Sequence, residues 1–338
     1  MLSERRRAVL AALIDEYVSS AHPVPSKALV ERYGLGCSPA TVRTDLAALE
    51  ETGYVYQPHI SAGRVPTDVG YREYVDSMVG EPGGAHSPRE AEAIRRFYAT
   101  HELEVGDLMR QTASLLAAMT GYISVVVAPA VGRSRIKRVS LVAMGDRQVL
   151  LVVITDRGQV AKRFVEVAQP LTEEQLRDLE GFLSQSLDDK VAEEAGVLER
   201  ELLRAPSSFR AAAATLVREI VDCMEEADDE RVVHGGAAGL LKLPEFADPQ
   251  RATPVLGMLE DGLAMLRTLT DIGGPGGTVV SIGHENAREE LVFTSVVATD
   301  YGGRDSSGFV ALIGPTRMDY GHAMSVTRCV AEELDEAL

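Results

Sequence analysis

Cysteine is scarce in this 338-residue sequence: Cys37, Cys223 and Cys329 are odd in number, far apart and form no C-x-x-C pair. Neither a disulfide framework nor a zinc knuckle is expected from that pattern. The seven histidines (22, 59, 86, 101, 234, 284, 322) are equally scattered, with no H-x-x-x-H pair, so no metal site and no cofactor is expected. Long apolar runs are missing too, and none approaches the roughly 20 residues that span a bilayer. The first twenty residues contain Arg5-Arg6-Arg7 and then alternate apolar with charged positions, which no secretory signal does. A cytoplasmic chain without membrane contact is the expectation. Basic residues are also in deficit, 34 Lys and Arg against 51 Asp and Glu, for a net charge of −17. Taken alone this opposes nucleic-acid binding, which is driven by cations releasing counterions from phosphate. Residues 1–80 depart from the trend. They hold eight Lys and Arg and ten Asp and Glu, a balance of −2, which leaves −15 for the remainder.

What is present suits two or three domains, at 45% apolar and 25% charged. Residues 1–79 are dense in helix and turn signals and run into GEPGGAHSP (80–88), a linker by its Gly and Pro content. Apolar residues then recur at helical spacing to about 120, a candidate connector. YISVVVAP (122–129), IKRVSLVAM (136–144), QVLLVVIT (148–155) and QVAKRFVEV (159–167) read as an antiparallel meander punctuated at Gly145-Asp146 and 156–158. From 171 the pattern is helical again, with Thr172 as a candidate N-cap, and strands return at 277–285, 290–301 and 307–315 before a last helix over 320–338. Strands, helices, then strands again suit one β-rich α+β domain carrying an insertion, because two separate β domains expose more sheet edge.

The N-terminal stretch is the most specific. Val9, Leu10, Leu13, Ile14, Tyr17 and Val18 predict an amphipathic helix, stopped at His22-Pro23-Val24-Pro25. Ser26 is expected to cap a short helix to about Tyr33, and Ser38-Pro39 starts a third, with Val42, Leu46 and Leu49 facing inward. Helix, helix, helix, then a strand at Tyr54-Val55-Tyr56 is the order of a winged helix-turn-helix, whose third helix enters the major groove. Its outward residues, Ser38, Pro39, Ala40, Thr41, Arg43 and Thr44, are short apart from one arginine able to pair with guanine or phosphate. Beyond the strand, His59 is expected to shape a wing whose tip, Ser61, Ala62, Gly63 and Arg64, is slim and basic enough for a minor groove or a phosphate. A three-helix unit can equally serve protein contact, so a sensor with an N-terminal module for a protein partner stays open as the alternative.

The run ATVRTDLAALEETGYVYQPHISAGRVPTDVGYREYVD (40–76) closely resembles the signature of the heat-inducible transcription repressor HrcA family. VVSIGHEN (279–286) and ALIGPTRMDY (311–320) are similar to that family's closing β segments. Thr44 departs from it, standing where the family usually has Asn, as do Leu46 for Met and Pro39 for Ser. The resemblance implies a non-enzymatic repressor of chaperone operons, acting as a homodimer on double-stranded DNA at the inverted-repeat CIRCE operator and kept active by the GroE chaperonin. It also implies three parts. On this sequence they are a winged helix domain at 1–79, a linker and connector helix at 80–105, and a GAF-like domain at 106–167 and 251–338 with a dimerising insertion at 168–250.

Two other constellations carry less. GGPGGT (273–278) leads into a strand and lacks lysine, so it reads as a turn and not a phosphate loop. Ser281, His284 and Glu285 are crowded into one strand end with no nucleophile elbow, and Asp15-Glu16 reads as a solvated face.

Overall fold

The computed structural model describes residues 2–60, 62–78, 88–99, 105–129, 135–156, 158, 160–191, 194, 202, 206–229, 232–272, 277–303 and 306–338. Ser61, the linker at 80–87 and residues 273–276 of the glycine-rich turn lie outside that set. The chain is a mixed α and β protein with three sheets, each antiparallel in every pairing.

Three helices come first: α1 (Glu4–Ser20), α2 (Ser26–Tyr33) and α3 (Pro39–Glu51). The apolar stripe read from the sequence buries Val9, Leu10, Leu13 and Ile14 of α1 against Leu29 of α2 and Val42, Leu46 and Leu49 of α3. Ser38 caps α3 as expected, its Oγ accepting from Thr41 N at 3.2 Å. Ser26 does not cap α2. Pro25 holds that position and supplies no side-chain acceptor, so Ser26 is already helical. The solvated face read for Asp15-Glu16 holds for Asp15, which is exposed, and fails for Glu16, which is buried. Tyr74 donates to Asp15 at 2.5 Å, and Glu16, 7% exposed, receives Arg32 at 2.5 Å.

A two-residue ladder of β1 (Val55–Tyr56) and β2 (Val65–Pro66) follows, then α4 (Asp68–Met78), α5 (Pro88–Ala99) and α6 (Val105–Thr120). Next come β3 (Ile123–Val127), β4 (Ile136–Ala143), β5 (Gln148–Thr155), β6 (Val160–Glu166), α7 (Glu173–Leu187), α8 (Arg210–Asp229) and β7 (Val232–Gly235). The remainder is α9 (Ala237–Leu240), α10 (Pro249–Glu260), α11 (Gly262–Ile272), β8 (Thr278–Ile282), β9 (Thr294–Gly303), β10 (Ser306–Pro315) and α12 (Tyr320–Ala337).

Five strands in the order β7-β3-β10-β9-β8 form the main sheet, covered on both faces. Val126, Val297, Val310 and Leu312 face a core shared with α6, α12 and the N-terminal helices, while Val125, Val296, Ala311 and Ile313 face α10 and α11. The four-strand meander read from the sequence is thus divided. β3 pairs with β10 and β7, whereas β4-β5-β6 make a sheet of their own whose core is completed by Leu179 and Leu183 of α7 and Leu216 and Ile220 of α8. The physical reason shows in the burial patterns. All five residues of β3 are buried, as a strand covered on both faces requires, but β5 alternates between buried and half-exposed positions, the mark of a strand covered on one face only. By hydrogen bonding the excursion from the main sheet therefore runs from β4 to α8, and β7 already belongs to the main sheet.

Candidate nucleic-acid interface

Of the residues named from the sequence, Arg43 of α3 and Ala62, Gly63 and Arg64 of the following loop line one cleft. Ser38, Pro39, Ala40, Arg43 and Thr44 are exposed along the first turns of α3, and Thr41 is half-buried, its Oγ1 3.0 Å from Ser38 Oγ. The Thr44 hydroxyl donates to Ala40 O at 3.2 Å, so its proton is committed to its own helix and its methyl and oxygen lone pairs remain for a ligand.

The loop between β1 and β2 is stapled from within. Gln57 donates from Nε2 to Ile60 O (2.9 Å) and Ala62 O (2.8 Å), and Ala62 N donates to His59 O at 2.8 Å. A single bridge then joins Arg64 to Val24, with N–H to O distances of 2.9 Å in both directions. At this close approach a Cβ on Gly63 would overlap the Val24 backbone. Gly63 is therefore required for packing the loop on the chain before α2, a role distinct from the slim tip read for it. His59 is exposed and contributes its carbonyl to the turn. Between α3 and the loop lies an open cleft of ≈ 420 Å³, bordered by Arg43, Leu46, Val24, Gln57, Ile60 and Arg64.

Charge is distributed unevenly across the eight Lys and Arg of this unit. Arg5 and Arg6 reach Asp45, Arg7 reaches Glu73, Lys27 pairs with Glu31, Arg32 with Glu16, Arg64 with Glu50 (2.8 Å) and Arg72 with Glu285. Arg43 has no ion pair among the described residues, and it stands exposed at the cleft. Arg64 is the opposite case: its side chain is 19% exposed and turned back on Glu50 rather than outward. Asp45 is 1% exposed and receives Arg5 at 2.8 and 3.1 Å, which fixes α3 against the start of α1. The hydrogen bond from Arg5 holds the Asp45 carboxyl below the usual carboxylate range, against the opposing effect of burial.

Sequence reasoning missed Ile60. It is 100% exposed at the loop tip, and its signal was present as a lone branched apolar residue in an otherwise polar run. It also passed over Asp45, which sits one position beyond the outward-facing set. No group of three His, Cys, Asp or Glu positioned for a metal occurs among the described residues, and no helix of them is long and apolar enough to cross a membrane.

Known proteins sharpen the assignment. A family model described as the HrcA protein C terminal domain matches residues 106–324. The heat-inducible transcription repressor HrcA of Streptomyces avermitilis is 39% identical over 340 residues, covering 100% of this chain and 99% of that protein. The protein of the same name from a Nocardioides species is 39% identical over 344 residues, with the same shares covered. A crystal structure of a hypothetical protein at 2.2 Å resolution superposes with a TM-score of 0.71 at 25% identity, covering 100% of this chain and 98% of that one. Likeness at this level over the whole length, in line with the N-terminal signature, means that the chain belongs to the HrcA family of heat-inducible transcription repressors.

Proposed function

We propose that the protein is a transcriptional repressor whose N-terminal unit is a winged helix-turn-helix, reading an inverted-repeat operator of the CIRCE type with α3 in the major groove and the 57–64 loop as the wing. The observation that carries this reading is Arg43. In a unit where the other seven Lys and Arg are ion-paired, the remaining one is exposed on α3 at the mouth of a cleft between helix and loop. An uncommitted arginine at that point can pair with guanine or phosphate at no cost of breaking an existing pair. Ser38, Pro39, Ala40, Thr41 and Thr44 allow close approach, and Ile60 is shaped to press on sugar or base edges beside the wing.

The main sheet with its two helical layers acts as the GAF-like core, and β4 to α8 as the dimerising insertion. The outer face of β4-β5-β6 supports that role. Val142, Leu150 and Phe164 lie in one row across it and Arg138, Ile154 and Val160 in another, with Ser140, Val152 and Lys162 between them, and Val142, Val160 and Phe164 are each about half exposed (48%, 55% and 60%). Exposed apolar side chains set among a few polar and basic ones suit an isologous two-fold contact. Repression of chaperone operons is relieved on heating because the chain needs the GroE chaperonin to regain its binding-competent fold, and unfolded clients draw the chaperonin away. A β-rich core closed by pairings as distant as β3 with β10 folds slowly, which supports that dependence.

A gel shift on an inverted-repeat duplex with a scrambled duplex as control tests the reading. A discrete complex on the first alone is expected. Equal or no retention on both would favour the other reading, in which the N-terminal unit of a GAF-like sensor docks a protein partner.

A further inference from the structure

VVSIGHEN (279–286) has no part in the interface above, yet its polar residues meet the N-terminal unit. Gly283, at φ 52°, brings its Cα so close to Asp68 that a Cβ there would overlap the carboxylate. Asp68 Oδ2 accepts from His284 N at 3.1 Å and lies 2.8 Å from His284 Nδ1. Arg72, one turn along α4, donates through Nε to Glu285 Oε1 at 2.8 Å, through Nη2 to Glu285 Oε2, and through Nη2 to Val280 O at 2.7 Å. The turn presenting these groups is itself fixed. Asn286, 7% exposed, donates from Nδ2 to Gly283 O, Leu291 O and Thr294 O at 2.9–3.0 Å, and Glu285 Oε2 accepts from Ile282 N at 3.0 Å.

The same turn of α4 is bound to the reading unit from the other side. Thr67 donates through Oγ1 to Gly53 O at 2.7 Å and through its backbone N to Tyr54 O at 3.1 Å, just past the end of α3. Consecutive residues, Thr67 and Asp68, thus tie the end of α3 to the main-sheet domain. A second tether runs parallel: Arg317, in ALIGPTRMDY, donates to Val18 O of α1 at 2.9 Å and is ion-paired to Glu245. The rings of Tyr71 in α4 and Tyr320 in α12 also pack together, tilted at 53° with centroids 5.7 Å apart.

We propose that residues 279–286 are a docking seat that fixes the angle of the reading unit on its core, and that this fixed angle sets the half-site separation a dimer accepts. The proposal rests on the reading of α3 as the DNA-contacting helix. Two heads on a two-fold dimer meet successive major-groove faces only when their separation and rotation match the duplex, and a head free to pivot tolerates a range of spacings. Asp68→Ala is the more selective lever, because it removes the contact without touching the turn. At Gly283 a new Cβ would meet the Asp68 side chain, and at φ 52° alanine also strains the turn, so Gly283→Ala loosens the seat from both sides.

The test uses the full chain and a series of inverted-repeat duplexes whose spacer changes one base pair at a time, read by fluorescence anisotropy. The unmodified protein is expected to lose about tenfold or more in affinity when the spacer moves by about half a helical turn. Asp68→Ala and Gly283→Ala are each expected to flatten that profile to within about threefold while the mass of the dimer is unchanged, and the double variant is expected to be no flatter than either alone. Profiles identical to that of the unmodified protein in both variants would overturn the seat. Amide exchange without DNA separates its failure from that of the DNA reading. Exchange across α4 and 283–286 should rise about tenfold or more in both variants, and unchanged exchange overturns the seat whatever the duplexes show. Failure of the unmodified chain on every duplex, with exchange rising as stated, removes the DNA reading and leaves the seat standing as a joint.

Discussion

Arg43 and Arg64 look equivalent in the sequence, two arginines on either side of a helix-strand turn, but their surroundings differ. In the proposed complex Arg43 would meet a phosphate or guanine without giving anything up, whereas Arg64 would have to leave Glu50 first. Arg43→Ala is therefore expected to weaken operator binding by about 1–3 kcal/mol, and Arg64→Ala by clearly less. Glu50→Gln should tighten binding, since it frees Arg64 and removes a negative charge beside DNA. Titration of the three variants against one duplex at fixed salt checks the order, and an Arg64→Ala loss larger than that of Arg43→Ala would reverse the assignment. Thr44 is sharper in the structure than in the sequence. With its hydroxyl proton bound to Ala40 O, it offers a methyl where the family's Asn offers a bidentate amide. Thr44→Asn should change the preferred base at one operator position, read by selection from a randomised half-site, with little effect on stability.

At the scale of elements, α3 depends on one buried carboxylate. Asp45→Asn removes the charge that Arg5 and Arg6 share and is expected to cost about 1–2 kcal/mol, the lower part of the range for charged hydrogen bonds because both arginines are exposed. The pH sign follows from the depressed carboxyl. Its contribution is present above the unfolded carboxylate value near ~3.9 and is lost as pH falls through the lower folded value. Tm measured from pH 7 downward should fall more steeply in the unmodified protein than in Asp45→Asn below about pH 4, and parallel curves would contradict this. The helices were legible from the sequence because apolar spacing and the Ser38 and Thr172 caps are local signals. The partition of strands was not. Which strand pairs with β3 is decided by β10, almost two hundred residues away, and nothing local in ISVVV sets it apart from the strands that follow. The docking seat is equally hidden, because the partners of His284 and Glu285, Asp68 and Arg72, lie more than two hundred residues upstream.

For the molecule as a whole, charge and the proposed two-fold symmetry are what the account depends on. With −15 of the net −17 outside residues 1–80, the body of the protein repels phosphate, so in the proposed dimer the attraction to DNA would come from the two N-terminal units. Phe164→Asp on the bare sheet face should split the dimer and, with it, operator binding, while leaving each chain folded; sedimentation and circular dichroism together decide this. Recovery of binding activity after heating should be several-fold greater with chaperonin present, and equal recovery with and without it would remove the proposed route of heat control. The most direct test of the central claim is the stoichiometry and affinity of the chain on three duplexes at physiological salt: the inverted repeat, one half-site, and a scrambled sequence. Two chains are predicted to occupy the inverted repeat about a thousandfold more tightly than the scrambled duplex, with the single half-site far weaker than the pair. Equal affinity for all three, or binding insensitive to Arg43→Ala, would contradict the account.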